Sequence, residues 1–369
     1  MERLKLQTKL RAVDLFCGVG GFSTGFVQAG IDVVIAVDYN EIALKAHEVN
    51  HPNTEHLLLD LYDTYQVDFL IDKIKKSNID IIIGSPPCQQ FSSANMKKDV
   101  GKGLELVEVM LRIIEEVKPK YWLGENVKPS RTPIEEAFQV VGRVYNSADY
   151  GVPQKRERYF FGNFIHPPVT HQEDGLEQLT LDSFFGLEEK QIQSWKTVKD
   201  IIDENEEGWK SFDELPDTAK KRVLDPEYQK GNFAHHKLVF EDQPAQTLTA
   251  HHDNRYLLIT NGRKREYIEF NEKNYLLVSG ENSSSNGRFV QSLEQPSWTL
   301  TTSSNYFITN NIKFRKINIV ELKRIMGFPD DYIVQGNMDS KLRQIGNAVC
   351  PPLAKAFAEQ IIKHHKQNS

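Results

Sequence analysis

Cysteine is scarce in this chain: Cys17, Cys88 and Cys350 are the only three among 369 residues. Thiols so few and so widely spaced form neither a disulfide framework nor the paired spacing of a zinc site, and they predict a reducing, cytoplasmic setting. Long apolar runs are missing as well. A bilayer span needs roughly 20 consecutive apolar residues, and no stretch approaches that, so no membrane partner is expected. The opening residues, MERLKLQTKLRAVDLF, lack the apolar segment and small-residue cleavage site of a secretion signal. A basic excess is absent too: 45 Lys and Arg face 51 Asp and Glu, a formal net charge of −6. That weighs slightly against a nucleic-acid partner, although phosphate contacts need only a local basic patch. The His-His pairs at 235–236, 251–252 and 364–365 have neither i,i+4 spacing nor carboxylate companions, so no metal is expected. What remains is an ordinary globular composition. A length of 369 residues predicts two domains, or three, with a sizeable core.

The first 165 residues alternate between strand and helix signals. AVDLF (12–16) is a short apolar run before a glycine-rich turn and a helix. DVVIAVD (32–38) predicts a second strand, IALKAHEVN (42–50) a helix and HLLLDL (56–61) a third strand. IDIIIGS (79–85) is a continuous β-branched run of the kind buried on both faces of a parallel sheet. LELVEVMLRIIEEVK (104–118) is an amphipathic helix with Leu104, Val107, Leu111 and Ile114 on one face, stopped at Lys118-Pro119. KYWLGEN (120–126) and YFFGNFI (159–165) supply further strands. This alternation predicts an α/β fold with a doubly wound, Rossmann-like, mostly parallel sheet.

Beyond Pro167 the pattern changes. Residues 167–230 are polar with irregular helical stretches, and 235–310 read as strands and turns. Roughly the last 50 residues are helical again, ending in PLAKAFAEQIIKHHK (352–366). The β-rich part holds an internal echo. DQPAQTLTAHHDNRYLLITNG (242–262) resembles EQPSWTLTTSSNYFITNN (294–311), offset by 52 from Gln243 to Gln295. Two copies are too few for a solenoid and fit a duplicated strand–turn–strand unit in a smaller β domain.

Four segments put reactive groups at strand ends. In DLFCGVGGFSTGF (14–26), glycines 18, 20 and 21 follow the first strand. Glycine permits a sharp turn and lets a ligand approach main-chain N–H groups at a helix N-terminus. Asp38 ends the next strand, 20 residues after Gly18, where a carboxylate grips ribose hydroxyls in nucleotide-binding folds. A glycine turn alone is as often structural; the acidic partner tips it towards a ligand site. In GSPPCQQFS (84–92), two prolines stiffen the chain before Cys88, over the crevice at the edge of the sheet. A free thiol titrates at about 8.5, so a nucleophilic Cys88 needs a positive or hydrogen-bonding environment; the alternative is an inert, packed cysteine. Glu125 ends another strand in GENVK (124–128) and suits general-acid work once burial raises its pKa. In YGVPQKRERYFFG (150–162), Arg156 and Arg158 alternate at the start of a strand, which puts both on one face, either a pocket or a solvated edge.

In this order the segments resemble the DNA (cytosine-5)-methyltransferase family, bacterial or phage type. The FxGxGG turn and the PCQxFS, ENV and QxRxR blocks all match, and RQIGNAVCPPLAKAF (343–357) matches a closing GNAV-x-P block. NIVELKRIMGFPDDY (318–332) is similar to the penultimate block, with Val320 where an arginine is usual. The resemblance implies a class I methyltransferase fold in a discontinuous catalytic domain, 1–165 plus 335–369, with a β-rich target-recognition domain over 166–334. It implies S-adenosylmethionine as cofactor, S-adenosylhomocysteine as product, and methyl transfer to C5 of cytosine in a specific double-stranded DNA sequence. Cys88 would attack C6 of a flipped-out base, with Glu125 at the N3 edge. Arg156 and Arg158 would steady the base at O2 and support the catalytic loop.

For the cofactor, the resemblance assigns Phe16, Gly18, Gly20 and Gly21 to the methionine moiety, with Cys17 and Val19 in the same cofactor turn, although Cys17 also reads as a small packing residue. Asp38 is assigned to the ribose, Tyr39 to the adenine face, and Asp60 and Leu61 to the adenine edge. Pro87, Leu106, Asn347 and Val349 complete the expected site. DNA contacts are expected from Gln89 and Ser92 beside the thiol. Others should come from His251, Arg255 and Thr302 in the turns after the paired QPxxTLT units, and from Arg288 in GENSSSNGR (280–288). Arg263, Lys264 and Arg265 suit phosphates. A monomer is expected, and a cognate restriction endonuclease is a partner such a family admits.

The stretch between ENV and QKRER is shorter than in typical members, which predicts a trimmed helix and part of a strand. An RNA-methylating relative would carry a further Cys-Phe-Thr block in the central domain, yet no cysteine lies between 88 and 350. A catalytically inactive DNA-binding regulator would not need Cys88, Glu125 and both arginines together. An amino-methylating enzyme would carry an aromatic-ended N/D-P-P-Y/F block in place of PPCQ.

Overall fold

The apolar runs of the first half become neighbours in one sheet. The computed structural model describes residues 9–88, 90–91, 99–173, 192–202, 210–211, 214, 255–258, 266–269, 276–279, 290–292, 296–298, 306–309 and 313–368. Strands β1 (Arg11–Leu15), β2 (Asp32–Asp38), β3 (Glu55–Leu58), β4 (Ile81–Gly84) and β5 (Tyr121–Val127) lie parallel. Helices α1 (Gly21–Ala29), α2 (Glu41–Asn50), α3 (Thr64–Lys75) and α4 (Val100–Val117) connect them. After α5 (Arg131–Phe138) come β6 (Gly142–Asn146), the two-residue β7 (Gln154–Lys155) and β8 (Glu157–Asn163). The seven-stranded order is β3-β2-β1-β4-β5-β8-β6, with β8 antiparallel to both neighbours. This is the α/β, mostly parallel sheet that the alternating runs predict.

Both faces of the sheet are covered, which is why its strands read as unbroken apolar runs. Ile81 and Ile83 of β4 pack with Phe22 and Phe26 of α1 and with Leu353 and Phe357 near the C-terminus. Ile82 points the other way, among Val67, Leu70 and Ile74 of α3 and Met110 and Ile113 of α4. Helix α4 starts earlier than its apolar pattern, because the Asp99 side chain caps it by accepting from Lys102 N at 3.1 Å. It ends at Lys118, which takes a left-handed φ of 54° before Pro119. Its buried stripe is Leu106, Val107, Met110, Ile113 and Ile114. The expected face lies one step round: Leu104 and Leu111 are half-buried against the cluster of Val107, Ile134, Tyr159 and Phe161. Two apolar surfaces, the sheet and α5, widen the stripe beyond a single line. The shortened stretch still forms both the helix α5 and the strand β6.

In the central region, 210–211, 313–316, 306–309, 276–279 and 290–292 form a five-stranded sheet, antiparallel throughout. Arg255–Leu258 pairs with Glu266–Glu269. Of the helical stretches expected in 167–230, the described residues show 3-10 structure at Lys199–Ile201 and at Glu214, and most of that range lies outside the described residues. Helices α6 (Ile319–Met326), α7 (Met338–Asn347) and α8 (Pro351–Gln367) close the chain. Leu322, Ile325, Met326, Phe328 and Tyr332 share the core cluster of Phe22 and Phe26, which reaches back to Ile317. Among the described residues, no helix is long and apolar enough to cross a membrane.

Candidate active site

Strand order reverses at β1, and open α/β sheets bind ligands in the crevice beyond the strand ends at such a point. Leu15 of β1 lies beside Gly84 of β4, so the turns that follow them leave the sheet together. Ser85 ties the two: its N donates to Leu15 O at 3.2 Å and its Oγ to Phe16 O at 3.4 Å.

On the β1 side the chain makes a cradle. Phe16, Gly18 and Gly20 have φ of 58°, 52° and 98°. The side chains of Cys17 and Val19 are buried, Cys17 against Ala36 and Leu44, so both present main chain to the crevice. A Cβ added at Gly18 would meet nothing within 4 Å, which leaves open space above the turn. At Gly21 it would sit 2.1 Å from Val349 O, so the closing block packs directly on the start of α1. Val349 is buried beside the turn and Asn347 is exposed at the end of α7.

Asp38 Oδ2 accepts from Gly18 N and Oδ1 from Asn40 N, both at 2.8 Å. Burial raises its pKa, and the backbone bonds from Asn40 and Gly18 pull it back. An ionised carboxylate has about four acceptor positions, so part of Asp38 is left for a pair of hydroxyls. Tyr39 next to it is 63% exposed, an aromatic face without a cover. Asp60 Oδ1 accepts from Tyr62 N at 3.0 Å, and Leu61 and Leu106 lie in the core beneath. Open space, partly used acceptors and an uncovered ring fit a nucleoside-bearing cofactor. Among the described residues no group of His, Cys, Asp and Glu could hold a metal ion.

On the β4 side the half-buried Cys88 follows Pro86 and Pro87. Asn126 Nδ2 donates to Pro86 O at 3.1 Å and so fixes the approach to the thiol. Phe91 N donates to Cys88 O at 3.0 Å, closing a turn round it. Glu125 is buried on β5, and Arg158, from the adjacent β8, places Nε 3.3 Å from Glu125 Oε1. Burial pushes the Glu125 carboxyl up, while Arg158 and then Arg156 draw it down. Burial likewise raises the Cys88 thiol, against Arg158, with Glu125 adding to the rise and Arg156 opposing it. Thiol, carboxyl and guanidinium act on one another as a single electrostatic site.

The two arginines both act on Cys88 and Glu125 but make different contacts. Arg156 precedes β8 and is 2% exposed. Its Nη2 donates to Gly346 O at 2.9 Å and Ala348 O at 3.1 Å, while Nε and Nη1 are buried without a partner. Burial and then Arg158 push it down to about 10, so it stays cationic at neutral pH. Arg156 lies between β7 and β8. It fastens the closing block, and acts on Cys88 as a buried charge.

Two residues of the matched blocks take on roles that their motifs alone do not reveal. Asn126 is one. Gln154 is the other: β7 pairs with Ser297–Trp298, Ser297 N donates to Pro153 O at 2.9 Å, and Gln154 Nε2 reaches Ser297 Oγ at 3.5 Å. The second QPxxTLT unit therefore docks on the QKRER block. The signal was the repeat itself, which reads from sequence as a lead-in to DNA-facing turns. Gln89, Ser92, His251, Arg288 and Thr302 lie outside the described residues, as do Arg263, Lys264 and Arg265; Arg255 opens a described strand.

Comparisons with known proteins agree with this layout. Residues 10–363 match the family described as C-5 cytosine-specific DNA methylase. The type II methyltransferase M1.HphI of Haemophilus parahaemolyticus is 27% identical over 96% of this chain and 87% of its own length. M.XorII of Xanthomonas oryzae pv. oryzae is 29% identical over 96% and 85%. A solved structure from E. coli, described as a DNA modification methyltransferase encoded within a prophage, superposes with a TM-score of 0.57 at 20% identity. It covers 98% of this chain and 100% of that one, and supports the fold. With the family match running from before β1 into α8, the chain belongs to the C-5 cytosine-specific DNA methylases.

Proposed function

We propose that this methylase acts through Cys88 as a covalent nucleophile on a cytosine flipped out of double-stranded DNA, with S-adenosylmethionine in the glycine cradle. The observation that carries the reading is the coupling of Cys88, Glu125 and Arg158 beside that cradle. C5 of cytosine is a poor nucleophile until something adds at C6. The Cys88 thiolate forms the C6–S bond, and Glu125 gives its proton to N3 as negative charge develops on the ring. Arg158 favours the thiolate and orients the Glu125 carboxyl. When bound, S-adenosylmethionine supplies an activated methyl group for the enamine-like C5. Water takes the C5 proton, the C5–C6 double bond re-forms with expulsion of the Cys88 thiolate, and N3 returns its proton to Glu125.

Phe16 to Gly21 would meet the methionine moiety, Asp38 the ribose, Tyr39 the adenine face, and Asp60 and Leu61 its edge. Pro87, Leu106, Asn347 and Val349 would complete the site. The target base cannot be reached inside a duplex, so it leaves the stack at a cost of a few kcal/mol. The central region, with Gln89 and Ser92 from the thiol loop and Arg255, His251, Arg288 and Thr302 from its own turns, would approach the DNA. The relatives' type II names favour a companion restriction endonuclease. A cytoplasmic monomer is the matching setting.

Methylation mapping after expression in a methylation-free host identifies the target sequence. A duplex carrying 5-fluorocytosine there, with cofactor, should then give a denaturant-resistant adduct, because fluorine cannot leave as a proton. Wild type without an adduct on that duplex would overturn the covalent reading.

A further inference from the structure

Behind the cradle lies a buried polar cluster that the transfer mechanism does not use. Three histidines (His47, His51 and His56) meet Asp14, Ser23, Thr24 and Tyr332 there. Tyr332 comes from the far end of the chain and is held by a double tie. Asn50 Nδ2 donates to Ile333 O at 2.8 Å, and Ile333 N donates to Asn50 Oδ1 at 2.9 Å.

The short bonds settle where the protons lie. Tyr332 OH donates to Val19 O at 2.6 Å and Thr24 Oγ1 to Gly20 O at 2.6 Å. Each hydroxyl has one proton; Thr24 Oγ1 also lies 3.2 Å from Tyr332 OH, but the shorter bonds commit both protons to the carbonyls. His51 Nε2 lies 3.1 Å from Tyr332 OH and 3.2 Å from Thr24 Oγ1, and must be the donor to them. On the second branch, with Asp14 ionised, Ser23 Oγ donates to Asp14 Oδ2 at 2.6 Å and His47 Nε2 donates to Ser23 Oγ at 3.0 Å. A neutral His47 then accepts at Nδ1 from His56 Nε2, at 2.8 Å.

Two carbonyls of the cofactor turn, Val19 O and Gly20 O, are thus gripped from behind. A peptide unit is planar and trans. Fixing the Gly20 carbonyl therefore aims the Gly21 N–H the opposite way, out of the cluster. The fit leaves no slack: a Cβ on Gly20 would lie 2.7 Å from Tyr332 OH and 2.8 Å from His47 Cδ2.

We propose that Tyr332 and His51, backed by Thr24 and His47, are positioning residues that set the Val19–Gly21 peptides for the cofactor. This rests on the cofactor reading above. It makes cofactor affinity depend on the segment between α6 and α7, where the chain returns from its central region. Single hydrogen bonds of this kind contribute about 0.5–1.5 kcal/mol net, and a tenfold change in affinity corresponds to about 1.4 kcal/mol. Loss of the Tyr332 hydroxyl should therefore be readable in binding.

The test is calorimetric titration of the full-length protein with S-adenosylhomocysteine. Tyr332→Phe should bind about tenfold more weakly than wild type, with a raised KM for the methyl donor and kcat changed by less than about twofold. His51→Gln keeps a donor near the Nε2 position and should stay within about threefold of wild type; His51→Ala should fall as far as Tyr332→Phe. Tyr121→Phe is the control. It removes a hydroxyl bonded to His364 Nδ1 at 2.9 Å, away from the turn, and should bind like wild type. Tyr332→Phe and His51→Ala binding within twofold of wild type would overturn the proposal, as would an equal loss in Tyr121→Phe. Wild type that binds no S-adenosylhomocysteine would instead sink the cofactor reading.

Discussion

The two walls of the crevice are built on opposite electrostatic plans. Behind the glycine turn, the histidine cluster is held mostly by hydrogen bonds between uncharged groups; the charged exception on this wall is the Asp38 carboxylate on Gly18 N. Desolvation drives His47 well down and His51 to about 4, and lifts Asp14 to about 7, each towards its uncharged form. Around Cys88 the plan is ionic, with Arg158 against Glu125 and Arg156 buried behind them. A site that binds through main-chain groups needs fixed peptide directions, and neutral bonds supply them without a desolvated charge. A site that must ionise a thiol and protonate a ring needs opposed charges that shift pKa values.

If the walls are separate in this way, damage to one should spare the other. Cys88→Ala is the severest break. Methyl transfer should fall by on the order of 10⁴-fold or more, as when other nucleophiles are removed, while S-adenosylhomocysteine affinity stays within a few-fold. Parallel loss of cofactor binding, measured by titration of the same preparation, would show that the walls are one structure. Glu125→Gln comes next. Glutamine can hold the N3 edge but cannot release a proton to it. Its kcat should drop by about 10²–10⁴-fold, the usual contribution of a positioned acid, with the cofactor KM little changed. A Glu125→Gln enzyme within tenfold of wild-type kcat would remove Glu125 from proton transfer.

The same contrast explains what could be read from the sequence. The thiol wall was legible because its chemistry sits in short blocks at strand ends, PPC, ENV and RER, each next to an apolar run that names its strand. The meeting of Asp38 with the glycine turn followed from its spacing to Gly18, whose N–H it accepts. The backing of the glycine turn was not legible. His47 lies in α2 and His51 caps its end, but their meaning depends on Tyr332, which chain closure brings in 281 residues beyond His51. Helix α3 went unread, although Val67, Leu70, Ile71 and Ile74 have helical spacing and Asp63 caps its start by accepting from Tyr65 N and Gln66 N. The central sheet was legible only as β-rich, since pairing of strands such as 276–279 with 306–309 is a tertiary choice.

The smallest expected effect probes the neutral wall itself, through the dependence of stability on pH. His51 has a folded pKa of about 4 against an ordinary 6.5. The unfolded chain therefore takes its proton first. The stability that neutral His51 contributes is complete above about 6.5 and is lost as pH falls towards 4. Its neighbours enter the same balance. Burial lowers His47 and His56 as well, with Glu48 pulling His56 the other way, and Tyr332 stays neutral throughout. Asp14 has the opposite sign: raised to about 7, it contributes most below its ordinary 3.8 and loses that as pH rises through 7. Between pH 7 and 5, His51 alone should cost roughly 2 kcal/mol, because each tenfold difference in proton affinity between the folded and unfolded chain corresponds to about 1.4 kcal/mol. That amounts to a few degrees in Tm for a chain of this size. His51→Gln removes that group and keeps the donor, so its Tm should fall less than wild type between pH 7 and 5, even if it starts lower. Equal slopes in the two proteins would mean that His51 can take up its proton in place. The wall behind the cradle would then tolerate charge as the thiol wall does, and the division between them would not hold.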